Sequence, residues 1–209
     1  MGVTAVIPAY NEESRIGETL TEVLQYVDEA IVIDDASSDR TAEVAKQAGA
    51  QVLHNETNRG YIYSIKKGFQ QASNDIIVTI DADGELPAAK IPELVQPIIN
   101  GEADMVQGRR DEVVRPSEKL LTRLAGMKGK VGDSGTGFRA IKKKLASRLQ
   151  LKGNCICGIF SLEVLSMGGR IAEIPIRLHA IDKPRKIAWY HLGQLFYLLK
   201  FMLTHKFQD

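Results

Sequence analysis

The chain has 209 residues, which is enough to bury one hydrophobic core but leaves little room for a second full domain. Its content of 44% hydrophobic and 25% charged residues is ordinary for a soluble globular protein. The net charge of +1 hides an uneven distribution, because residues 109–152 hold thirteen Lys or Arg and only four Asp or Glu. A basic segment in an otherwise acidic chain suits an anionic ligand, although a solvated basic face would give the same composition.

The first hundred residues alternate short apolar runs with helical patterns. Runs rich in β-branched and other apolar residues predict four strands, at residues 3–8, 30–34, 51–54 and 76–80. Apolar residues at helical spacing predict four helices, at residues 16–27, 38–49 and 62–72 and from Pro87 onward. Because these strands are apolar throughout and alternate with amphipathic helices, we predict an α/β fold with a mostly parallel sheet and helices on both faces.

The pattern of the second half is looser. We predict a mobile, basic loop with a short helix inside it, followed by two strands and a helix, after a fifth strand at residues 105–108. In chain order, these are a loop at 109–133 with a helix at 118–125, a strand at 137–141, a helix at 160–167 and a strand at 171–179. An apolar helix over residues 187–205 comes last. No repeat, low-complexity tract or linker interrupts the chain, which predicts a single domain over residues 1–209.

Acidic side chains follow the predicted strands in three places: Glu12-Glu13, Asp34-Asp35 and Asp81-Ala82-Asp83. In open α/β sheets, ligands bind beyond the carboxyl ends of the strands. One such cluster is often only a helix cap or a turn, but three at the same edge predict a binding site. Asp81 and Asp83 leave a buried strand, and Mg²⁺ and Mn²⁺ prefer carboxylate, water and phosphate oxygens. This segment therefore predicts a site for one divalent cation.

The two cysteines, Cys155 and Cys157, lie in an apolar stretch with no further cysteine nearby. This spacing predicts neither a disulfide framework nor a zinc quartet, so we expect reduced, buried thiols in a cytoplasmic protein. The first apolar run leads directly into a polar motif, and we therefore expect no signal peptide.

Four segments of the first half, in order, resemble the donor half of family 2 glycosyltransferases, which have the GT-A fold: VIPAYNEE (6–13), DDASSDRT (34–41), NRG (58–60) and DADGELP (81–87). In the second half, DSGTGFR (133–139) resembles the D-x-x-[ST]-G-F-R segment of dolichol-phosphate mannose synthases and related polyprenyl-phosphate glycosyltransferases. GGRIAEIP (168–175) resembles a strand of the same enzymes. The resemblance covers about 180 residues and implies a Rossmann-like GT-A sheet plus a C-terminal apolar helix.

The resemblance implies that residues 1–110 bind a nucleotide sugar, that residues 111–186 bind the acceptor and that residues 187–209 form an amphipathic helix. In the donor half, the nucleoside pocket would be lined by Pro8, Tyr10 and Glu12, and Asp35 would accept a hydrogen bond from the base. Asp83 would bind Mg²⁺ or Mn²⁺, and Asp81 and Glu85 would contribute directly or through water.

In the acceptor half, the resemblance implies that Asp133, Thr136 and Arg139 face the sugar and the acceptor. Asp133 and Arg139 would be catalytic together with Asp83, and an acceptor phosphate would be bound by Arg109, Arg110, Thr136, Arg139, Arg177 and Arg185. Two departures from the family pattern affect this half. Glu118 and Thr122 occur where the family has Arg and Ser, and residues 180–186 lack the leading Arg of the family's R-x-x-G-x-S-K.

The implied function is inverting transfer of a hexose to a polyprenyl (dolichyl) phosphate, with mannose from GDP-mannose slightly ahead of glucose from UDP-glucose. One alternative is a family 2 enzyme that glycosylates a saccharide hydroxyl with Asp133 as the base. Nucleotidyl transfer is a more remote alternative, because the Gly-rich G-x-x-x-R stretch of those enzymes is missing after the first strand. A dinucleotide-binding module is disfavoured because no G-x-G-x-x-G follows Pro8. No nucleic-acid partner is expected.

The final helix combines apolar residues at helical spacing with polar interruptions at His191, Gln194, Lys200 and His205. About 20 apolar residues are needed to span a bilayer, so this pattern predicts a helix that does not cross it. With basic residues nearby, it is typical of a peripheral anchor at the membrane surface. Packing on the core, on a second subunit of a homodimer or on a membrane-anchored partner would produce the same pattern.

Overall fold

The computed structural model describes residues 1–113, 115–153, 155–180 and 190–207. The strands are β1 (Val3–Ala9), β2 (Glu29–Asp34), β3 (Gln51–His54), β4 (Ile76–Thr79), β5 (Met105–Arg110), β6 (Arg139–Lys142) and β7 (Ile171–Ile176). The helices are α1 (Ile16–Val23), α2 (Thr41–Gln47), α3 (Tyr61–Gln71), α4 (Ile91–Ile99), α5 (Pro116–Gly126), α6 (Lys143–Ala146), α7 (Ile159–Ser166) and α8 (Tyr190–Thr204).

The seven strands form one sheet in the order β3-β2-β1-β4-β6-β5-β7. β6 is antiparallel to both of its neighbours, and the remaining pairs are parallel. Ala9 lies opposite Asp34 in the β1–β2 register, so these two strands end at the same level. The mostly parallel α/β sheet is confirmed, and its carboxyl edge brings together the segments that follow β1, β2 and β4.

Side chains of the central strands alternate between two hydrophobic clusters, one on each face of the sheet. Ala5 and Ile7 of β1 belong to the first cluster with residues of α1 and α4, whereas Val6 belongs to the second with residues of α3 and α7. Helices therefore cover both faces, as predicted. The α3 helix lies very close to β1, because a Cβ added at Gly68 would stand 2.2 Å from Val6 Cγ1.

A third cluster joins α5, α7 and α8 and includes Leu121, Ile159, Leu162, Leu198 and Phe201. The inner face of α8 thus packs on the rest of the protein. Among the described residues, none of the helices has both the length and the hydropathy needed to cross a membrane.

The second helix is shorter than predicted. Residues 38–49 were expected to be helical from Ser38, but α2 covers Thr41–Gln47. The Asp39 side chain accepts a hydrogen bond from the Thr41 backbone N–H at 2.9 Å, and the Ser38 N–H donates to Asn11 Oδ1 at 2.9 Å. Ser38 therefore connects two loops and does not begin the helix.

Candidate active site

A cleft runs along the carboxyl edge of the sheet, and three adjoining cavities in it share Asp81. The first cavity is lined by the ends of β1 and β2 and the start of α3, the second by the segments after β4 and β5, and the third by residues near α5 and α8. The loop between β4 and α4 lies at their junction. This is the edge at which the acidic clusters predict a ligand site.

The turns after β1 and β2 hold each other in unusual backbone conformations. Asn11 has a φ of 54° and Ala36 a φ of 63°, which are left-handed conformations that cost about 1–3 kcal/mol each in non-glycine residues. The Asn11 N–H donates to Ser37 Oγ at 3.0 Å, and Asn11 Oδ1 accepts from the Ser38 N–H. These bonds offset the strain and fix the backbone that carries Tyr10.

The first cavity brings together all the residues predicted to line the nucleoside pocket: Pro8, Tyr10, Glu12 and Asp35. Tyr10 is 49% exposed, so its ring is available to a ligand. Asp35 is buried and accepts hydrogen bonds from Asn55 Nδ2 at 2.7 Å and from the N–H groups of Arg59 and Gly60 at 2.9 and 2.7 Å. A carboxylate has about four acceptor positions, so these three bonds leave little capacity for a base.

The turn after β4 directs its carboxylates into the cleft. Asp81 and Asp83 line both the first and the second cavity, and Glu85 lines the second. Asp83 Oδ1 accepts from the Glu85 N–H at 3.1 Å, and Gly84 has a φ of 74° that favours glycine. The His179 N–H donates to the Glu85 carbonyl at 2.8 Å, so the segment after β7 supports this turn from outside.

The three carboxylates predicted to bind a metal share a cavity but do not form a closed ligand set. Among the described residues, three potential metal ligands converge at another place. The donor atoms of Cys155, Cys157 and His191 all lie within 4.8 Å of one another. Asp81, Asp83 and Glu85 are more widely spread. Mg²⁺ commonly takes only one or two protein carboxylates together with substrate phosphates, so an open arrangement still fits such a cation.

Two residues beside Asp81 were missed by the sequence analysis. The Tyr61 hydroxyl is buried, and its pKa is raised well above the ordinary value by that burial and by the negative charge of Asp81. A Cβ at position 137 would lie 2.5 Å from both carboxylate oxygens of Asp81, so a larger residue there would displace the Asp81 side chain. Tyr61 directly follows the Asn58-Arg59-Gly60 motif, which is the signal that could have identified it.

Asp133 is held in a buried ion-pair network. Arg110 Nε and Nη2 donate to the two oxygens of Asp133 at 2.6 and 2.8 Å, and the Arg110 and Gly135 N–H groups donate at 3.1 and 3.2 Å. Glu118 accepts from Arg110 Nη2 and from Arg115 Nη1, each at 2.9 Å. Burial opposes the charge of Arg110, but hydrogen bonds and charges from Asp133 and Glu118 outweigh it and raise its pKa. Both oxygens of Asp133 are therefore occupied.

Arg139 is fully buried, although it was expected to contact the acceptor. Its Nη2 donates to the Ser134 carbonyl at 2.8 Å, and its guanidinium carbon lies 4.7 Å from the Phe160 ring centroid. Among the described residues, Nε and Nη1 have no hydrogen-bond partner. Burial lowers the pKa of Arg139, while neighbouring acidic groups including Asp133 and Asp81 oppose this effect. Arg139 thus lies in the protein interior, and its predicted contact with the acceptor stays a prediction.

The other residues predicted to bind an acceptor phosphate are scattered. Thr136 is buried, and its Oγ1 accepts from the Phe138 N–H at 3.1 Å. Arg109 is exposed and lies on the face of β5 opposite Arg110, because successive residues of a strand point to opposite sides. Arg177 is 90% exposed and lies 3.5 Å from Asp111, and Arg185 is outside the described residues.

Arg110 lines the second cavity together with Arg115. The sequence analysis did not single out Arg115, and the charge excess of residues 109–152 was its only signal.

Residues 4–161 match the model of the family described as Glycosyl transferase family 2. The chain belongs to this family. A dolichol-phosphate mannosyltransferase from Pyrococcus furiosus is 29% identical and is matched over 96% of this chain and 64% of its own length. An undecaprenyl-phosphate 4-deoxy-4-formamido-L-arabinose transferase from Klebsiella pneumoniae is 33% identical, with 97% and 67% covered. This glycosyltransferase thus spans about two thirds of the length of these relatives.

A dolichyl-phosphate hexose transferase from Haloferax volcanii matches at 29% identity over 83% of this chain and 81% of its own. Among solved structures, glucosyl-3-phosphoglycerate synthase from Mycobacterium tuberculosis in complex with UDP superposes with a TM-score of 0.81 at 24% identity. That match covers 100% of this chain and 81% of the other. The superposition shows that this glycosyltransferase has the fold of that enzyme.

Proposed function

We propose that this glycosyltransferase moves a hexose from a nucleotide-diphosphate sugar to a polyprenyl phosphate, with inversion at the anomeric carbon. The names of the relatives from Pyrococcus, Haloferax and Klebsiella support a lipid-phosphate acceptor. As the transferred sugar, mannose from GDP-mannose is slightly favoured over glucose from UDP-glucose. A single displacement on an α-linked donor would give a β-linked product.

The first cavity suits the nucleotide of the donor. Pro8, Tyr10 and Glu12 would contact the nucleoside, and Asp35 would use its remaining acceptor capacity for the base or would hold the Arg59–Gly60 backbone in place. The Mycobacterium enzyme of similar fold has been crystallised with Mn²⁺, UDP-glucose and phosphoglyceric acid, at a TM-score of 0.74. This likeness supports a nucleotide-sugar donor for the present chain.

A divalent cation, Mg²⁺ or Mn²⁺, fits the turn after β4. Asp81 and Asp83 would hold it, and Glu85 would contribute directly or through water, because these carboxylates line one cavity. The close approach of Gly137 to both oxygens of Asp81 leaves no side chain between that carboxylate and the cleft. When bound, such a cation neutralises charge that develops on the departing diphosphate, an effect worth several kcal/mol.

The buried state of Asp133 is the observation that carries the choice of acceptor. A hydroxyl acceptor needs a general base within about 3 Å of the attacking oxygen. Asp133, the candidate base, is buried and its two oxygens accept four hydrogen bonds, three of them from Arg110. A phosphate monoester needs no base, because its second pKa of about 6 leaves it mostly dianionic at neutral pH.

The guanidinium groups that line the second cavity suit such a dianion. Arg115 is partly exposed and pairs with Glu118, so a phosphate could replace that carboxylate as its partner with charge-assisted hydrogen bonds. Arg110 lies beside it, positioned by Asp133. Arg115 would thus supply the positive charge that the family places at position 118. Thr136 and Arg139 would support the wall behind the acceptor, and Arg109, Arg177 and Arg185 stay candidates for outer contacts.

A lipid acceptor also suits a peripheral position at the cytoplasmic surface of a membrane. The outer face of α8 carries exposed apolar side chains at helical spacing. Contact of this face with lipid or with a membrane-anchored partner would bring the cleft near a lipid phosphate, and a second subunit is the alternative occupant of the face.

Transfer of radiolabelled sugar to different acceptors tests the proposal. We expect transfer to a short polyprenyl phosphate to exceed transfer to the matching free alcohol and to simple sugars. Asp133→Asn should retain part of the activity without a steep change in pH dependence, because the residue positions Arg110 and accepts no proton from the acceptor. Asp111→Asn, an exposed carboxylate in the same segment, is the control. Efficient transfer to a saccharide hydroxyl together with near-total loss in Asp133→Asn would favour the hydroxyl-acceptor alternative.

A further inference from the structure

Two thiols and an imidazole converge at the third cavity of the cleft, which Asp81 also lines. The ligand atoms of Cys155, Cys157 and His191 all lie within 4.8 Å of one another. We propose that these three side chains form a binding site for Zn²⁺. The site is separate from that of Mg²⁺ or Mn²⁺, because sulfur and nitrogen donors select zinc whereas carboxylates select the harder cations.

The spacing of the donors is close to that of a tetrahedral zinc site. Zinc binds cysteine sulfur at about 2.3 Å and histidine nitrogen at about 2.0–2.1 Å, so a tetrahedral angle puts the two donors about 3.6 Å apart. Cys157 Sγ and His191 Nε2 are 3.8 Å apart. A shift of a few tenths of an ångström therefore brings both within bonding distance of one ion.

Ser117 at the start of α5 orients the imidazole. Its Oγ lies 2.7 Å from His191 Nδ1, and a hydroxyl can accept from Nδ1–H. The Nε2 lone pair then points at the thiols. Metal-binding histidines usually have such a partner on the other ring nitrogen, and its loss typically costs about 10–100-fold in metal affinity.

The fourth coordination position opens into the cleft. Cys155, Cys157 and His191 line one cavity together with Tyr61, Arg115 and Glu118. Three protein ligands with one open position are typical of zinc sites that keep a bound water. A water from the cleft would complete the tetrahedron here, beside the guanidinium and carboxylate of the acceptor region.

Zinc binds cysteine as the thiolate, so its binding would release the thiol protons of Cys155 and Cys157 to solvent. The ion would also connect α8, through His191, to the loop before α7, and so attach the last helix to the cleft.

Metal titration of the reduced full chain, stripped of metal beforehand, tests this site. We expect one Zn²⁺ per chain in competition with a chromogenic chelator, and Co²⁺ in its place should give thiolate-to-cobalt charge-transfer absorption. Cys155→Ser and His191→Gln should lower zinc affinity by more than about 100-fold, and Ser117→Ala by about 10–100-fold. His205 directly follows the same helix, and its ring is stacked on Phe201, so His205→Gln should bind zinc like the unmodified chain.

Asp83→Ala should retain the cobalt–thiolate absorption band, because the Asp83 carboxylate belongs to the proposed Mg²⁺ or Mn²⁺ site. The zinc test is therefore independent of the proposed transferase reaction. Ser117→Ala leaves all three donors in place, so it stays informative if a ligand variant does not fold. Equal zinc affinity in the unmodified chain, Cys155→Ser and His191→Gln would overturn the proposal. Absence of zinc binding by the unmodified chain, with both thiols shown to be reduced by titration with a thiol reagent, would overturn it as well.

Discussion

Asp83 and Asp133 both lie at the carboxyl edge of the sheet, but their surroundings differ. Asp83 lines two cavities, and its Oδ1 accepts from the Glu85 N–H at 3.1 Å. Asp133 accepts four hydrogen bonds, three of them from Arg110. The structure thus distinguishes a carboxylate that lines two cavities from one whose two oxygens accept from Arg110, a difference that the residue type does not reveal.

Asp83→Ala should lower transfer by about 100–1,000-fold, because loss of a metal contact worth several kcal/mol costs about tenfold for each 1.4 kcal/mol. The fold should persist, since the lost hydrogen bond to the Glu85 N–H contributes only about 1 kcal/mol. Initial rates with and without Mn²⁺, together with thermal unfolding, measure both effects.

Asp28→Ala is a matched control for Asp83→Ala. Asp28 Oδ2 also accepts from a backbone N–H, that of Val3 at 2.7 Å, but it lies at the opposite edge of the sheet. Undiminished transfer by Asp83→Ala, or full transfer by the unmodified chain in excess chelator, would contradict the proposed metal dependence.

At the level of elements, Asp104 connects three strands at the end of the sheet remote from the cleft. Lys142 at the end of β6 donates to Asp104 Oδ1 at 2.7 Å, and Arg170 before β7 donates to Oδ2 through its backbone N–H and Nε at 2.9 and 3.1 Å. Partial burial opposes ionisation of Asp104, but the bonds from Arg170 and Lys142 outweigh it and lower its pKa. The ionised form thus stabilises the fold.

Asp104→Asn should lower the free energy of unfolding by about 1–3 kcal/mol at pH 7, because it removes charge-assisted hydrogen bonds. The folded pKa lies below the unfolded value of about 3.9, so this contribution is present above that pH and is lost as the pH falls through the folded pKa. Urea unfolding measured from pH 7 down to pH 3 gives the free energy of unfolding of the unmodified chain and of Asp104→Asn. The difference between the two should decrease below about pH 4. Glu102→Gln removes the charge of an exposed carboxylate nearby and should not lower the free energy of unfolding to a comparable extent.

The last helix has two different faces. His191, Gln194, Leu198 and Phe201 are buried against α5 and α7, whereas the outer face exposes Leu192, Phe196, Leu199 and Leu203. Packing on the core and contact with a membrane are therefore compatible. The basic residues of 181–189 that were expected beside this helix lie outside the described residues. Deleting α8 would uncover the core, so point substitutions are the better test.

Phe196→Ser combined with Leu199→Ser should reduce co-sedimentation with anionic vesicles by at least about tenfold, because two apolar side chains lose their contact with lipid. Ile99→Ser on α4 is the matched control, since Ile99 is 44% exposed and Leu199 is 40% exposed. An unmodified chain that stays in the supernatant would rule out the membrane contact. Sedimentation equilibrium would then show whether the same face joins two copies of the chain.

Some elements could be predicted from local sequence and others could not. The predicted bounds of β1 to β4 agree with the structure within one residue, because continuous apolar runs determine which residues enter a buried sheet. The position of β6 between β4 and β5 could not be predicted, since its antiparallel pairing depends on contacts far apart in sequence. His191 likewise reaches Cys157 across 34 residues, so the thiol–imidazole cluster has no local signal.

For the molecule as a whole, three cavities meet at Asp81, the first proposed for the donor and the others for the acceptor. The carboxylates that line the first cavity could be predicted to lie together because they directly follow apolar strands. The burial of Asp133 and Arg139 could not, because a sequence does not reveal which face of a loop is covered.

Ligand-induced stabilisation should identify the donor. A ligand at 100 times its Kd stabilises the folded state by about 2.7 kcal/mol, and for a chain of this size each 1 kcal/mol raises Tm by about 2–4 °C. We expect a rise of about 5–11 °C with GDP or UDP, or their sugars, in the presence of Mn²⁺. Thermal unfolding with GDP, UDP and CDP compares the bases. If none of the nucleotides changed the thermal unfolding curve, the assignment of the first cavity to the donor nucleotide would be contradicted.

The antiparallel insertion of β6 also bears on biosynthesis. The edge of β4 away from β1 gains its partner only when residues 139–142 have been made, about 60 residues after Thr79. At about 5–20 residues per second, the unpaired edge of a strand that begins with the apolar residues Ile76, Ile77 and Val78 waits for about 3–12 s on the ribosome, which is a hazard for aggregation. Gly137, which packs against Asp81, arrives on the same segment. A nascent chain shorter than this therefore lacks both the strand that joins β4 to β5 and a complete cleft.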